Sequence, residues 1–159
     1  MELYLMQHGE ALSKDVDPDR ALSPAGEEQV RIAGRALARL GVRVKHIVSS
    51  PKTRARQTAL AVAEALGMSH DIPTFDTLEP LTPPHETIQA LETIGEEGPI
   101  LVAGHLPSLS EVAAYLMECE SRIAFRMGGV VCLLVDNWKR GGATLLWYLT
   151  PEQLQNIAG

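Results

Sequence analysis

Three short stretches hold the residues best suited to chemistry. Residues 3–6 are apolar and run into Gln7-His8-Gly9-Glu10, and residues 99–103 repeat the pattern, running into Gly104-His105. A short apolar run closed by glycine predicts a buried strand that turns sharply at its carboxyl end. Both histidines are then left at strand tips. In open α/β sheets, ligand sites lie outside those ends, and glycine there lets the backbone approach a ligand. A histidine so placed can act as nucleophile, base or ligand, or can simply hydrogen-bond a turn. The third stretch, Ser50-Pro51, closes another strand and starts a helix whose first turn holds Arg54. A helix N-terminus already carries partial positive charge, so an arginine gains nothing from it; an anion nearby explains the placement better. No carboxylate or third histidine has ligand spacing with these residues, so no metal is expected. A guanidinium, a protonated imidazole and helix N–H groups are what a phosphoryl group needs as its equatorial oxygens gain charge.

The elements that must position these residues follow in chain order. Residues 10–22, with Asp15, Asp17, Asp19 and Pro18, predict a polar loop at the mouth of whatever His8 faces. Ser23-Pro24 starts a helix with Val30, Ala33, Leu37 and Leu40 inward, Arg31, Arg35 and Arg39 solvated, and Gly41 at its end. Residues 45–49 form the second strand, with His46 packed or at an edge. The helix after Pro51 turns Ala55, Ala59, Val62 and Leu66 inward and Arg56 to solvent, and stops at Gly67. Residues 72–75 predict a short edge strand, residues 79–84 a proline-stiffened loop, and residues 85–94 a helix. After His105, Ser108 and Glu111 have capping-box spacing ahead of Leu109, Val112, Ala113 and Leu116. Residues 130–135 and 144–149 form a hairpin, and Thr150-Pro151 opens a last short helix. Alternating strands and helices predict an α/β fold, a three-layer α/β/α sandwich with a mostly parallel central sheet and an antiparallel C-terminal strand. The parallel strand tips then converge on one edge.

At 159 residues the chain fits one domain, 1–159. Its formal charge of −6, from 14 basic and 20 acidic residues, argues against nucleic acid or anionic membrane as partner. A phosphate site must therefore be a local basic pocket. Cys119 and Cys132 have no metal-ligand or redox spacing, and both are expected to be small buried apolar residues. No basic segment leads into a long apolar stretch and no run reaches membrane-spanning length, so a cytoplasmic location is expected.

The Met-Gln-His-Gly-Glu start, the Ser50-Pro51-x-x-Arg54-Ala55-x-Gln57-Thr58 segment and Gly104-His105-Leu106-Pro107, in that order, resemble the histidine phosphatase (phosphoglycerate mutase-like) superfamily. The short length and the His-Leu-Pro sequence are most similar to its SixA-type phosphohistidine phosphatases. That resemblance implies that His8 attacks phosphorus to give a phosphohistidine, that Arg54 and His105 hold the phosphoryl oxygens, and that water then releases inorganic phosphate. A bound dianion would favour protonated His105. Where the family has Arg-His-Gly this chain has Gln7-His8-Gly9, so one phosphate-binding charge becomes an amide that can only donate a hydrogen bond. Losing one charged donor corresponds to about 2 to 4 kcal/mol of transition-state stabilisation. Phosphohistidine has a good leaving group, so a strong general acid is less needed than with an ester. Glu10, Glu79 and Glu86 are candidate proton donors, and His85 can look into the cleft. The resemblance implies a phosphorylated histidine-bearing relay or carrier protein as partner, no cofactor, and a monomer. A non-catalytic phosphate or phosphoprotein module weakened at Gln7, and a small-molecule phosphomonoesterase, stay open as alternatives.

Overall fold

Every strand of the N-terminal half is apolar on both sides, which a sheet can satisfy only if helices cover both faces. The computed structural model describes residues 1–159 and has that arrangement. Its elements are β1 (Glu2–Gln7), α1 (Pro24–Arg39), β2 (His46–Ser49), α2 (Thr53–Ala65), α3 (Pro84–Gly95), β3 (Ile100–Gly104), α4 (Ser108–Met117), β4 (Val130–Val135), β5 (Ala143–Leu149) and α5 (Pro151–Ala158). The five strands form one sheet in the order β2-β3-β1-β4-β5. Alternation along each strand divides the core in two. Leu3 and Leu5 of β1, with Ile100 and Val102 of β3, face Ile88 and Leu91 of α3 and Leu109, Val112 and Leu116 of α4. Tyr4, Met6, Leu101 and Ala103 face Val30, Ala33 and Leu37 of α1, Ala59 and Val62 of α2, and Leu154 of α5. The result is a three-layer α/β/α sandwich. None of its helices is long and apolar enough to cross a membrane.

β1 and β2 both pair parallel with β3, while β4 pairs antiparallel with β1 and with β5. The C-terminal strand is thus antiparallel to its only neighbour, as a hairpin requires, and β4 is the strand that runs against the other four. The segment before residue 76 contributes a single bridge, Ser49 with Thr74, in place of a short strand. Pro73 has no N–H to extend the ladder.

Local chemistry sets the helix ends. Ser23 caps α1 by accepting from Gly26 N, with Pro24 at the first position. Gly41 and Gly67, at φ +74° and +67°, follow α1 and α2 where the chain must turn left-handed. Leu40 falls at the C-cap of α1 and is exposed. α4 lacks the capping box: Pro107 is already helical at φ −82° and ψ −9°, so Ser108 lies inside the helix, buried, with no cap bond. Cys132 is buried on β4, but Cys119 is exposed. It follows Glu118, which ends α4 in the left-handed region and turns the chain outward.

The loop after β1 crosses the start of α1 so closely that glycine is required on the helix. A Cβ at Gly26 would stand 1.9 Å from the Glu10 carbonyl oxygen and 2.9 Å from its carbon. Gly26→Ala must push back the backbone two residues beyond His8, and is expected to destabilise the fold by about 1–3 kcal/mol. Urea denaturation checks this; an unchanged midpoint would show that the loop does not need its seat on α1.

Candidate active site

The strand register assembles the site. Gln7 pairs with Gly104 across β1 and β3, and Ser49 with Ala103 across β2 and β3. His8, Ser50 and His105 are therefore the next residues on three adjacent strands, with His105 in the middle. Ladder-like bonds carry on past the strand ends, from His8 N to Gly104 O (3.0 Å) and from Ser50 N to Ala103 O (3.3 Å). On the other side Gly128 N donates to the carbonyls of Gln7 and His8. Gly9 is small because α1 needs the room: a Cβ there would lie 2.6 Å from Val30 Cγ1. Its close approach is to a helix, not to a ligand. Gly9 N donates to Thr58 Oγ1 (3.1 Å), whose hydroxyl donates to Arg54 O (2.8 Å), so one threonine fastens the His8 turn to the Arg54 turn of α2.

His8 is buried, and its Nδ1 lies 2.7 Å from Gly9 O. A carbonyl can only accept, so Nδ1 carries the proton and Nε2 keeps its lone pair. Arg54 Nε donates to that Nε2 at 3.3 Å. The His105 ring lies 5.1 Å from that of His8, centroid to centroid, tilted 58°. His105 Nε2 is 2.6 Å from Ser50 Oγ, and its Nδ1 is buried without a partner. Burial lowers the His8 pKa to about 4, helped by the Arg54 and Arg20 charges and opposed by the Gly9 bond. Burial likewise lowers His105 to about 3, with His8, Arg54, Lys52 and Arg20 adding to the effect. Both imidazoles are neutral at pH 7 in the free protein. Burial thus favours the neutral His105 ring, whereas the protonated form expected from the sequence is the one a bound dianion would favour.

Arg54 and Arg20 form no ion pair, although Glu79 and Glu86 line the groove that starts at Arg54. Arg31, by contrast, pairs with Glu28 and Arg126 with Glu152. Arg54 is held by its bond to His8, and its pKa is lowered by burial and by Arg20. Arg20 is half-buried, its Nε donating to Leu12 O at 3.2 Å and its terminal nitrogens without protein partners. Its backbone is left-handed at φ +50°, unusual for a residue with a Cβ. Asp17 enforces that bend by accepting from the N–H of Asp19, Ala21 and, through its own carbonyl, Arg20. Two guanidiniums outside any ion pair, whose charge is felt by two neutral imidazoles, are an arrangement that can hold an anion. Gln7 is buried at the end of β1, and its Oε1 has no partner.

The candidate carboxylates fall in two places. Glu10 is exposed and accepts the Ser23 hydroxyl at 2.8 Å, at the start of α1 where negative charge is favoured. Glu79 and Glu86 line a groove of 610 Å³ that begins at Lys52 and Arg54 and runs along Pro80–Pro83; Glu79 lies 3.7 Å from Lys52 Nζ. His85 is exposed beside Glu86, and Arg31, Arg35, Arg39 and Arg56 are solvated. His46, half-buried, bonds Glu97. No three metal-ligating side chains gather in a group that could hold an ion. Arg20, Ser50 as a hydrogen-bonding group, and Thr58 were not legible as site residues. Arg20 sits in an acidic loop without periodicity, and its relevance comes only from the Asp17 fold-back.

Comparison with known proteins fits this geometry. Residues 3–79 match the family model of the histidine phosphatase superfamily (branch 1). The chain is 26% identical to the phosphohistidine phosphatase SixA of Escherichia coli over 98% of this chain and 97% of that one. It is 35% identical to an uncharacterised protein of Picosynechococcus, over 97% and 93%. Among solved structures, the protein histidine phosphatase SixA complexed with tungstate superposes with a TM-score of 0.87 at 25% identity, covering 97% of this chain and 99% of that one.

The lowered histidine pKa values have a sign that can be measured. An unfolded histidine takes up its proton at about pH 6.5. Folded His8 and His105 do so only near 4 and 3, so between those limits the unfolded chain holds more protons. Their contribution to stability is full above about pH 6.5 and is lost as the pH falls toward about 4 for His8 and about 3 for His105. NMR titration should show both rings neutral at pH 5, and urea midpoints should drop from pH 7 to pH 5 less steeply in His8→Asn than in the native chain. A His8 that titrates above pH 6 would contradict the burial argument.

Proposed function

The chain belongs to the histidine phosphatase superfamily, and on that footing we propose that it hydrolyses protein-borne phosphohistidine through a phosphohistidine formed on His8. The observation that carries the reading is the His8 ring. Its Nδ1–H is held by Gly9 O, and its Nε2 lone pair is directed at the Arg54 guanidinium, where an anion would sit. In the first step Nε2 attacks phosphorus, a new N–P bond forms, and the substrate N–P bond breaks with its electron pair leaving on the substrate imidazole. In the second, water attacks the His8-bound phosphoryl group and inorganic phosphate departs, restoring Nε2. Splitting one displacement into two lowers each barrier. Burial keeps Nε2 unprotonated, which a nucleophile needs.

Arg54 and His105 bind the phosphoryl oxygens, and Gln7 contributes its amide. Arg20 supplies the charge absent at position 7: its guanidinium has no carboxylate, and its field reaches His8, Arg54 and His105 alike. Glu79, in the groove that starts at Arg54, is better placed than Glu10 to reach a leaving group, with its Lys52 partner having to give way before it can carry a proton. The open groove suits a histidine presented on a relay or carrier protein in the cytoplasm. The SixA relatives support that substrate, and the tungstate complex of one shows that this relative takes up an oxyanion.

Denaturing the protein during turnover of a ³²P-phosphohistidine protein should trap label that is stable to base, labile to acid and absent from His8→Ala. No label, with phosphate still bound, would leave a binding module instead. Offered a phosphohistidine protein, a small phosphoramidate and an alkyl phosphate, the enzyme should prefer the first; turnover of the ester alone would make it a phosphomonoesterase. Arg20→Ala should lower kcat/KM by about 100-fold, the effect of removing one oxyanion donor. Adding Gln7→Arg to that variant should restore much of the loss, and an unaffected Arg20→Ala would remove Arg20 from the site.

A further inference from the structure

His105 has two ring nitrogens, and which of them carries the proton determines whether the neutral ring can bind an anion at all. A neutral imidazole donates from one nitrogen only, and a lone pair facing a phosphoryl oxygen repels it. Ser50 decides the matter. It is fully buried, its Oγ lies 2.6 Å from His105 Nε2, and that oxygen accepts the backbone N–H of Lys52 at 3.3 Å. Its peptide is fastened in turn, because the Ser49 hydroxyl donates to Ser50 O at 2.7 Å.

The hydroxyl has one proton, and the only acceptor within its reach is His105 Nε2. Were Nε2 to carry the proton instead, the Ser50 O–H and the bare Nδ1 would both be buried without partners, whereas donation by Ser50 leaves Nδ1 alone unpaired. Ser50 therefore donates, Nε2 accepts, and the ring proton resides on Nδ1. Nδ1 is the buried ring atom that has no partner in the protein, on a ring packed 5.1 Å from that of His8. Every other polar group of the pair is satisfied.

We propose that Ser50 is a positioning residue: its hydroxyl holds His105 as the Nδ1–H tautomer, so that the neutral ring presents a ready donor to a phosphoryl oxygen. This rests on the phosphoryl reading of the site given above. The low His105 pKa then ceases to be an obstacle, since donation needs no imidazolium. Protonating Nε2 would place a hydrogen against the Ser50 hydroxyl proton and force that hydroxyl to turn. The serine thus favours the neutral ring as burial does, and no proton has to be taken up before phosphate binds.

The test begins with the native protein, which needs no variant to fold. ¹⁵N NMR of the histidine side chains should show His105 Nδ1 protonated and Nε2 bare; the reverse assignment overturns the proposal. Saturation with inorganic phosphate should shift the His105 Nδ1 resonance together with those of His8. A shift at His8 with His105 unmoved would overturn the donor role. No shift at either ring would overturn the phosphoryl reading itself, while the tautomer assignment would still judge Ser50. Ser50→Ala should mix the tautomers and lower kcat/KM by about 10–100-fold, the range for removing a group that orients another. Ser50→Thr keeps the hydroxyl and should restore both the tautomer and most of the rate. Equal loss in the two variants with an unaltered tautomer would mean that Ser50 only packs.

Discussion

Backbone pairing of Gln7 with Gly104 and of Ser49 with Ala103 brings three parallel strands to an end at one level, and the site hangs from that register. A side chain at the end of a single strand has no fixed neighbour. Three adjacent strands that end together put the His8 ring against that of His105 and His105 in hydrogen bond with Ser50, and the bonds from His8 N to Gly104 O and from Ser50 N to Ala103 O extend the ladder into the site. The register is set in turn by the two apolar faces of the sheet, because a slip of one residue would exchange Leu3 and Leu5 with Tyr4 and Met6 between the α3–α4 and α1–α2–α5 layers.

Burial at that edge produces the chemistry by removing charge from the imidazoles while leaving it on the guanidiniums. His8 and His105 can respond to desolvation by losing a proton; arginine cannot. The outcome is two unprotonated imidazoles in the field of two arginines that form no ion pair. In a chain of net charge −6 such local excess of positive charge persists only where the fold holds it, as Asp17 does for Arg20 and Thr58 for the Arg54 turn. Preorganised donors of this kind stabilise developing charge without reorganisation during reaction.

The strand tips, the helix of Arg54 and the α/β class were legible because each depends on local pattern: apolar runs closed by glycine, Ser-Pro starts, helical spacing of Val30, Ala33 and Leu37. Misplaced details were those in which a local preference met a tertiary demand. Ser108 has capping chemistry but lies inside α4, since the chain is already helical at Pro107. Gly9 looks suited to a ligand's approach, yet it makes room for Val30. Glu10, beside the nucleophile in sequence, turns to cap-bonded Ser23 across the loop.

By itself the sequence determined which residues end strands and which start helices, and hence that His8, Arg54 and His105 belong to one edge of an α/β sheet, because hydrophobic periodicity and turn chemistry act over a few residues. Only the tertiary structure decided their protonation, their tautomers and their company. Those depend on desolvation and on hydrogen bonds between residues as distant as Ser50 and His105, or on the fold-back that ties Arg20 to Leu12 O. Such groups meet only once the sheet has set its register, so no local pattern records them.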